Sequence, residues 1–142
     1  MGMVVSFALF ADAANLSQEG KLNILGVFDA VQVGGVPTVH PRASLVLRLK
    51  GGSHDAGLHT LTLTWENPDG EQLWQTTGEV ELGMPPAGAG ELDLPVIANV
   101  DLPINRAGGY TMQIALDDRP TASVPLQVHV PLPMRAPNGL VS

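Results

Sequence analysis

Apolar residues recur along this chain at every second position, in short runs broken by Gly, Pro, Asn and Asp. That period is the one a half-buried β-strand imposes, and about eight such runs are present. The first is Val4 to Phe10, and the second is the longer Leu22 to Val33, which Gly26 interrupts as a bulge or close backbone approach would. In Ala43 to Lys50 the alternation is cleanest: Leu45, Leu47 and Leu49 take one face and Ser44, Arg48 and Lys50 the other. Leu58 to Trp65 sets Leu61, Leu63 and Trp65 against Thr60, Thr62 and Thr64. Asn67-Pro68-Asp69-Gly70 then has the residues of a tight reversal into Leu73 to Leu82. Further on, Leu92 to Leu102, Tyr110 to Leu116 and Ser123 to Val130 repeat the pattern, with a turn at Asp117 to Pro120.

Two stretches lack periodicity. Gly83 to Gly90 has almost nothing to bury and reads as a surface loop, not a domain boundary, because the strands beyond it carry an apolar face that only the earlier strands can cover. The Pro-rich segment 131–142 cannot join a ladder as a central strand and reads as a flexible arm on a single domain of residues 1–130. Short strands with no helix between them predict an all-β fold: a two-sheet antiparallel β-sandwich of Greek-key, immunoglobulin-like type, with a small β-barrel as the alternative. One local device favours the sandwich. Leu102 to Tyr110 places a Gly-Gly corner before a strand that opens on Tyr, as in a tyrosine corner, although a plain core aromatic accounts for Tyr110 equally well.

Composition narrows the partners. A chain of 142 residues buries enough surface to fold without staples, and the absence of cysteine removes disulfides and thiolate chemistry and fits a reducing, cytoplasmic setting. Seven scattered basic residues within a net charge of −7 give no stripe for phosphates, so neither nucleic acid nor an anionic membrane is an expected partner. The apolar run Val4 to Ala11 is too short to span a bilayer and has no Lys or Arg before it. Met1-Gly2 with Ser6 satisfies the permissive N-myristoylation pattern, which many sequences meet by chance.

Candidate chemistry is sparse, and the chain has no nucleophile elbow and no phosphate-binding loop. His59 shares the parity of Leu61 and Leu63 and is expected to point inward as a satisfied histidine. His129 opposes Val128 and should be exposed, His54 with Asp55 falls in a Gly-rich hairpin turn, and His40 precedes Pro41 in an extended connection. Both tryptophans sit on apolar parity and read as core, not as a sugar platform. If every strand ran antiparallel to the one before, alternate connections would gather at one end. Asp12, Asp55, Asp117 and Asp118 are then candidates for a Ca²⁺-type cation, against the plainer reading of solvated acidic turns. No cofactor is expected.

Ala11-Asp12-Ala13-Ala14 and Gly20-Lys21-Leu22-Asn23-Ile24-Leu25-Gly26-Val27-Phe28-Asp29 resemble the opening of a bacterial family of small uncharacterised proteins, classed as a domain of unknown function. His40-Pro41, Asp69-Gly70, Gly109-Tyr110 and Pro125-Leu126 extend the resemblance over most of residues 4 to 130. It implies an intracellular bacterial β-sandwich and carries over no catalytic residue. Asn23 and Asp29, polar within an apolar run, must be exposed, hydrogen-bonded, or on an edge open to a partner. The expected function is therefore non-enzymatic, a protein-interaction or self-association module, with cation or small-ligand binding at the acidic end as the alternative.

Overall fold

The computed structural model describes residues 2–84 and 90–131. Residues 85–89 of the expected loop and 132–142 of the expected arm therefore lie outside the described residues. Nine strands account for the described chain: β1 Val4–Leu16, β2 Leu22–Phe28, β3 Ala30–Gln32, β4 Thr38–Gly51, β5 Gly57–Glu66, β6 Gln72–Leu82, β7 Leu92–Ile104, β8 Gly108–Leu116 and β9 Arg119–His129. They form a four-stranded sheet ordered β2-β1-β4-β7 and a five-stranded sheet ordered β3-β9-β8-β5-β6. Every pairing is antiparallel except that of β3 with β9.

The core lies between the sheets and is built by the alternation read above. Phe10, Leu45, Leu47, Leu49, Leu102 and Ile104 from one sheet meet Leu61, Leu63, Trp65, Tyr110, Met112 and Leu126 from the other. A run of aromatic rings ties the two layers together. Phe28 stacks on Phe10 at 5.9 Å, Phe10 meets Trp65 edge-on at 6.0 Å, and Trp65 stacks on Tyr110 at 5.2 Å. The Trp65 indole N–H is satisfied within this core, donating to the Pro103 carbonyl at 2.9 Å. Trp74 is half-buried where β6 meets β7, and its N–H donates to the Asp101 carbonyl at 2.9 Å.

The Tyr110 hydroxyl accepts from the backbone N–H groups of Asn105 and Arg106, at 2.9 and 3.0 Å, and donates to the Arg106 carbonyl at 2.8 Å. That is the tyrosine corner, between β7 in one sheet and β8 in the other. With the crossings β4–β5 and β6–β7 it makes the molecule an open immunoglobulin-like sandwich, not a barrel.

Three local expectations need correction. The run Leu22 to Val33 is two strands in two different sheets: the Asp29 carbonyl accepts from Gln127 N–H at 2.9 Å, pulling the chain across the sandwich edge onto β9. His40 lies inside β4, 5.5 Å from the Phe28 ring; a bulge between His40 and Ala43 interrupts the ladder, and Arg42 takes φ 52°. The segment around His54 and Asp55 is no hairpin, because β4 and β5 belong to opposite sheets and a short 3-10 turn, Ser53–Asp55, joins them.

Candidate functional site

The acidic residues singled out by sequence do not converge. Asp12 sits within β1, with its carboxylate over Gly26 of β2, in the space a side chain at that glycine would fill. What failed is the strand count: successive strands do alternate in direction, but the run 22–33 holds two strands, β2 and β3, so the connection after β1 leaves the opposite end from those after β4 and β8. Because β1 pairs with β4 from Val4 opposite Lys50 to Ala11 opposite Ser44, the turn after β1 lies at the far end from Asp55. Asp55, Asp117 and Asp118 do share one end, but Asp55 and Asp117 are committed to the fold. Asp55 Oδ2 accepts from Gly52 N–H at 2.8 Å and shapes the 3-10 crossover. Among the described residues no group of three or more His, Asp or Glu side chains is placed to hold a metal ion.

His59 is the best-connected titratable group. Its Nδ1 lies 2.6 Å from Asp117 Oδ2 and its Nε2 2.5 Å from the Asp55 carbonyl. The Asp55 carbonyl and an ionised Asp117 both accept, so the two bonds are made together only by the doubly protonated ring. The Asp117 bond, then the Asp55 carbonyl, holds its pKa above the ordinary histidine value despite partial burial. Asp117 is lowered in turn by His59 and by the Thr60 N–H, which reaches Oδ1 at 2.9 Å. Asp117 and Asp118 have φ 51° and 64°, the left-handed pair of a two-residue type I′ hairpin turn between β8 and β9. The arrangement staples the β8–β9 turn to β5. A general base needs an open nitrogen near a substrate, and His59 has none. Of the other histidines, His129 is exposed on β9, and His54 lies 3.5 Å from Asp55 Oδ2 and lines a shallow groove of about 320 Å³ with Gly2, Lys50 and Glu91.

The two outer faces differ in character. On the five-stranded sheet the outer face is polar: Thr62 meets Thr77 at 3.3 Å, Gln75 donates to Thr64 at 2.9 Å, and Gln113 to Glu66 at 3.2 Å. On the four-stranded sheet it is apolar. Register sets Leu9 beside Val46 and Val46 beside Ile97, while Val27 stands beside Ala11 and Leu25 beside Ala13. Val46 and Ala11 are fully buried although they point away from the core, and at the β2 edge Leu25 is 71% and Val27 60% exposed. Arg48 closes one side, its guanidinium 6.0 Å from the Phe7 ring and its Nε 3.3 Å from Asp93; this contact is an ion pair without hydrogen-bond geometry. Ser44 donates to Asn99 at 3.1 Å on the other side. Sequence reasoning passed over Leu9, Val46 and Ile97. The available signal was apolar residues at both parities, in Phe7 to Ala11 and in Leu45-Val46-Leu47, which marks a strand apolar on both faces.

A family model described as a family of unknown function, DUF6941, matches residues 6–129. The chain belongs to that family. No curated protein matches this DUF6941 member. Among solved structures it is similar to the alkylpurine DNA glycosylase AlkC of Pseudomonas fluorescens bound to DNA containing an abasic-site analogue. There the identity is 8%, the TM-score 0.47, and the match covers 90% of this chain but only 30% of that one. An immunoglobulin-like protein from Pseudomonas aeruginosa is similar at 15% identity and TM-score 0.34, over 89% of this chain and 96% of that one. In the DUF6941 chain no helix among the described residues is long and apolar enough to cross a membrane.

Proposed function

We propose that the protein is a non-catalytic interaction or assembly module of the bacterial cytosol, and that the outer face of its four-stranded sheet is the working surface. The observation that carries this reading is the asymmetry of the two outer faces: one is a solvated lattice of Thr, Gln and Glu, the other a contiguous apolar strip ending on exposed Leu25 and Val27. A sandwich needs apolar residues only between its sheets; with Val46 and Ala11 already covered, the open part of this second apolar face is its β2 end, Leu25 and Val27, where a partner would sit. Two further features support it. The His59–Asp117 pair has both ring nitrogens and both carboxylate oxygens occupied by structural bonds, and the cysteine-free composition suits a reducing compartment.

The test is capture by cross-linking in native-host lysate, comparing the natural chain with Leu9→Lys and Ile97→Lys, each first shown to melt cooperatively. The expected outcome is a discrete cross-linked species with the natural chain that both lysine variants lose. An identical cross-linking pattern for all three chains would overturn the reading.

A further inference from the structure

Strand β2 pairs on one side only, with β1, and so presents an unpaired edge at the end of the apolar strip. Such edges are usually blunted by charge or proline within the strand, yet Leu22–Phe28 contains neither, its one interruption being Gly26 at φ 71°. Its flanks carry Lys21 on one side and Asp29 on the other. Both are exposed, and among the described residues neither forms an ion pair.

We infer that β2 is a self-complementary edge at which a second copy of this chain pairs antiparallel about a two-fold axis at Leu25, joining two four-stranded sheets into one of eight strands. This rests on the interaction reading above and names its occupant. An isologous antiparallel pair must match residues of the same parity for the apolar faces to stay on one side. Centred on Leu25, the pairing sets Leu25 against Leu25, Val27 against Asn23, and Lys21 against Asp29 of the second copy, giving two opposite-charge pairs by symmetry. Neighbouring registers do worse: centred on Ile24, Glu19 faces Asp29, and centred on Gly26, Lys21 loses its carboxylate partner, because the position opposite it, Val31, has already crossed to the other sheet. Charge complementarity thus selects one register. A seven-residue edge buries less than a standard interface, so the dimer dissociates in the micromolar range, and more readily at high salt.

Sedimentation equilibrium over about 1–500 µM, bracketing that range, is the deciding experiment. The natural chain is expected to pass from monomer to dimer, with amide exchange slowing at 22–28 as it does. Lys21→Asp and Asp29→Lys should each raise Kd at least tenfold with melting temperatures unchanged, the double swap should restore it, and Leu25→Lys should abolish dimers. A strict monomer across the range overturns the proposal. So does a dimer that is indifferent to Lys21→Asp but lost in Leu9→Lys; that result would place self-association on the sheet face and leave the interaction reading standing. Loss of cross-linked species in the face variants alongside an unchanged β2 dimer would separate the two in the opposite direction.

Discussion

Tyr110 gathers two backbone donors and one carbonyl at a single hydroxyl, so Tyr110→Phe removes the hub and leaves the N–H groups of Asn105 and Arg106 without it. The expected loss is about 1–3 kcal/mol of unfolding free energy with an unchanged denaturant slope, read from urea titration. His59 gives a pH dependence whose sign follows from its bonds. Its folded pKa is raised, so its contribution is complete below the unfolded value of about 6.5 and is lost as pH climbs through the folded value. Asp117 is lowered, so its contribution holds above about 3.9 and is lost as pH falls through the folded value. Their shared optimum is therefore mildly acidic. Between pH 6 and 9 the melting temperature of the natural chain should fall relative to His59→Gln, and parallel curves would refute the staple. The two turn residues should separate. Asp117→Gly loses the bonds to His59 and Thr60 and destabilises, whereas Asp118→Gly relieves a left-handed aspartate and should stay within about 0.5 kcal/mol of the natural chain or above it.

At the scale of elements, Gly26 governs how β1 and β2 fit. It holds φ 71°, and the Asp12 carboxylate fills the space where its side chain would stand. Gly26→Ala is expected to cost about 1–2 kcal/mol from left-handed strain alone, and pairing it with Asp12→Gly should recover the steric part only, measurable as a partial return of the unfolding midpoint. The same region shows what sequence could reveal. The strands from Leu45 to Leu49 and from Leu61 to Trp65 were legible because one face is core and the other solvent. The extension of β1 to Leu16 was not, because residues beyond Ala11 pair with β2 alone and no core imposes alternation on Asp12, Ala13 and Ala14. The break at Asp29 was equally hidden: both halves of that run have apolar faces, and only the bond to Gln127 on a distant strand divides them. Asn23 and Asp29 did stand out as polar exceptions. Asn23 donates to Asn15 at 2.9 Å, and Asp29 is exposed at the crossing. The acidic cluster failed for the same reason as the run Leu22 to Val33, because dividing that run into two strands changes which end of the sandwich each later connection occupies.

For the whole molecule, the rings of Phe28, Phe10, Trp65 and Tyr110 form one column through both sheets, so the layers should melt together. Trp65→Ala is expected to cost about 3–5 kcal/mol, with the remaining Trp74 emission and far-ultraviolet dichroism still changing at one midpoint. Two midpoints would mean that the sheets unfold separately. The parallel pairing of β3 with β9 also has a mechanical meaning. Val4 lies at the end of the sandwich marked by Lys50, and His129 near the opposite end marked by Gly108, with β3 alongside. Tension between those two points therefore runs along the strands, loading whole ladders of hydrogen bonds at once instead of opening them one at a time. A chain pulled in that direction is expected to act as a stiff link, yielding at higher force in single-molecule stretching than when pulled across the strands.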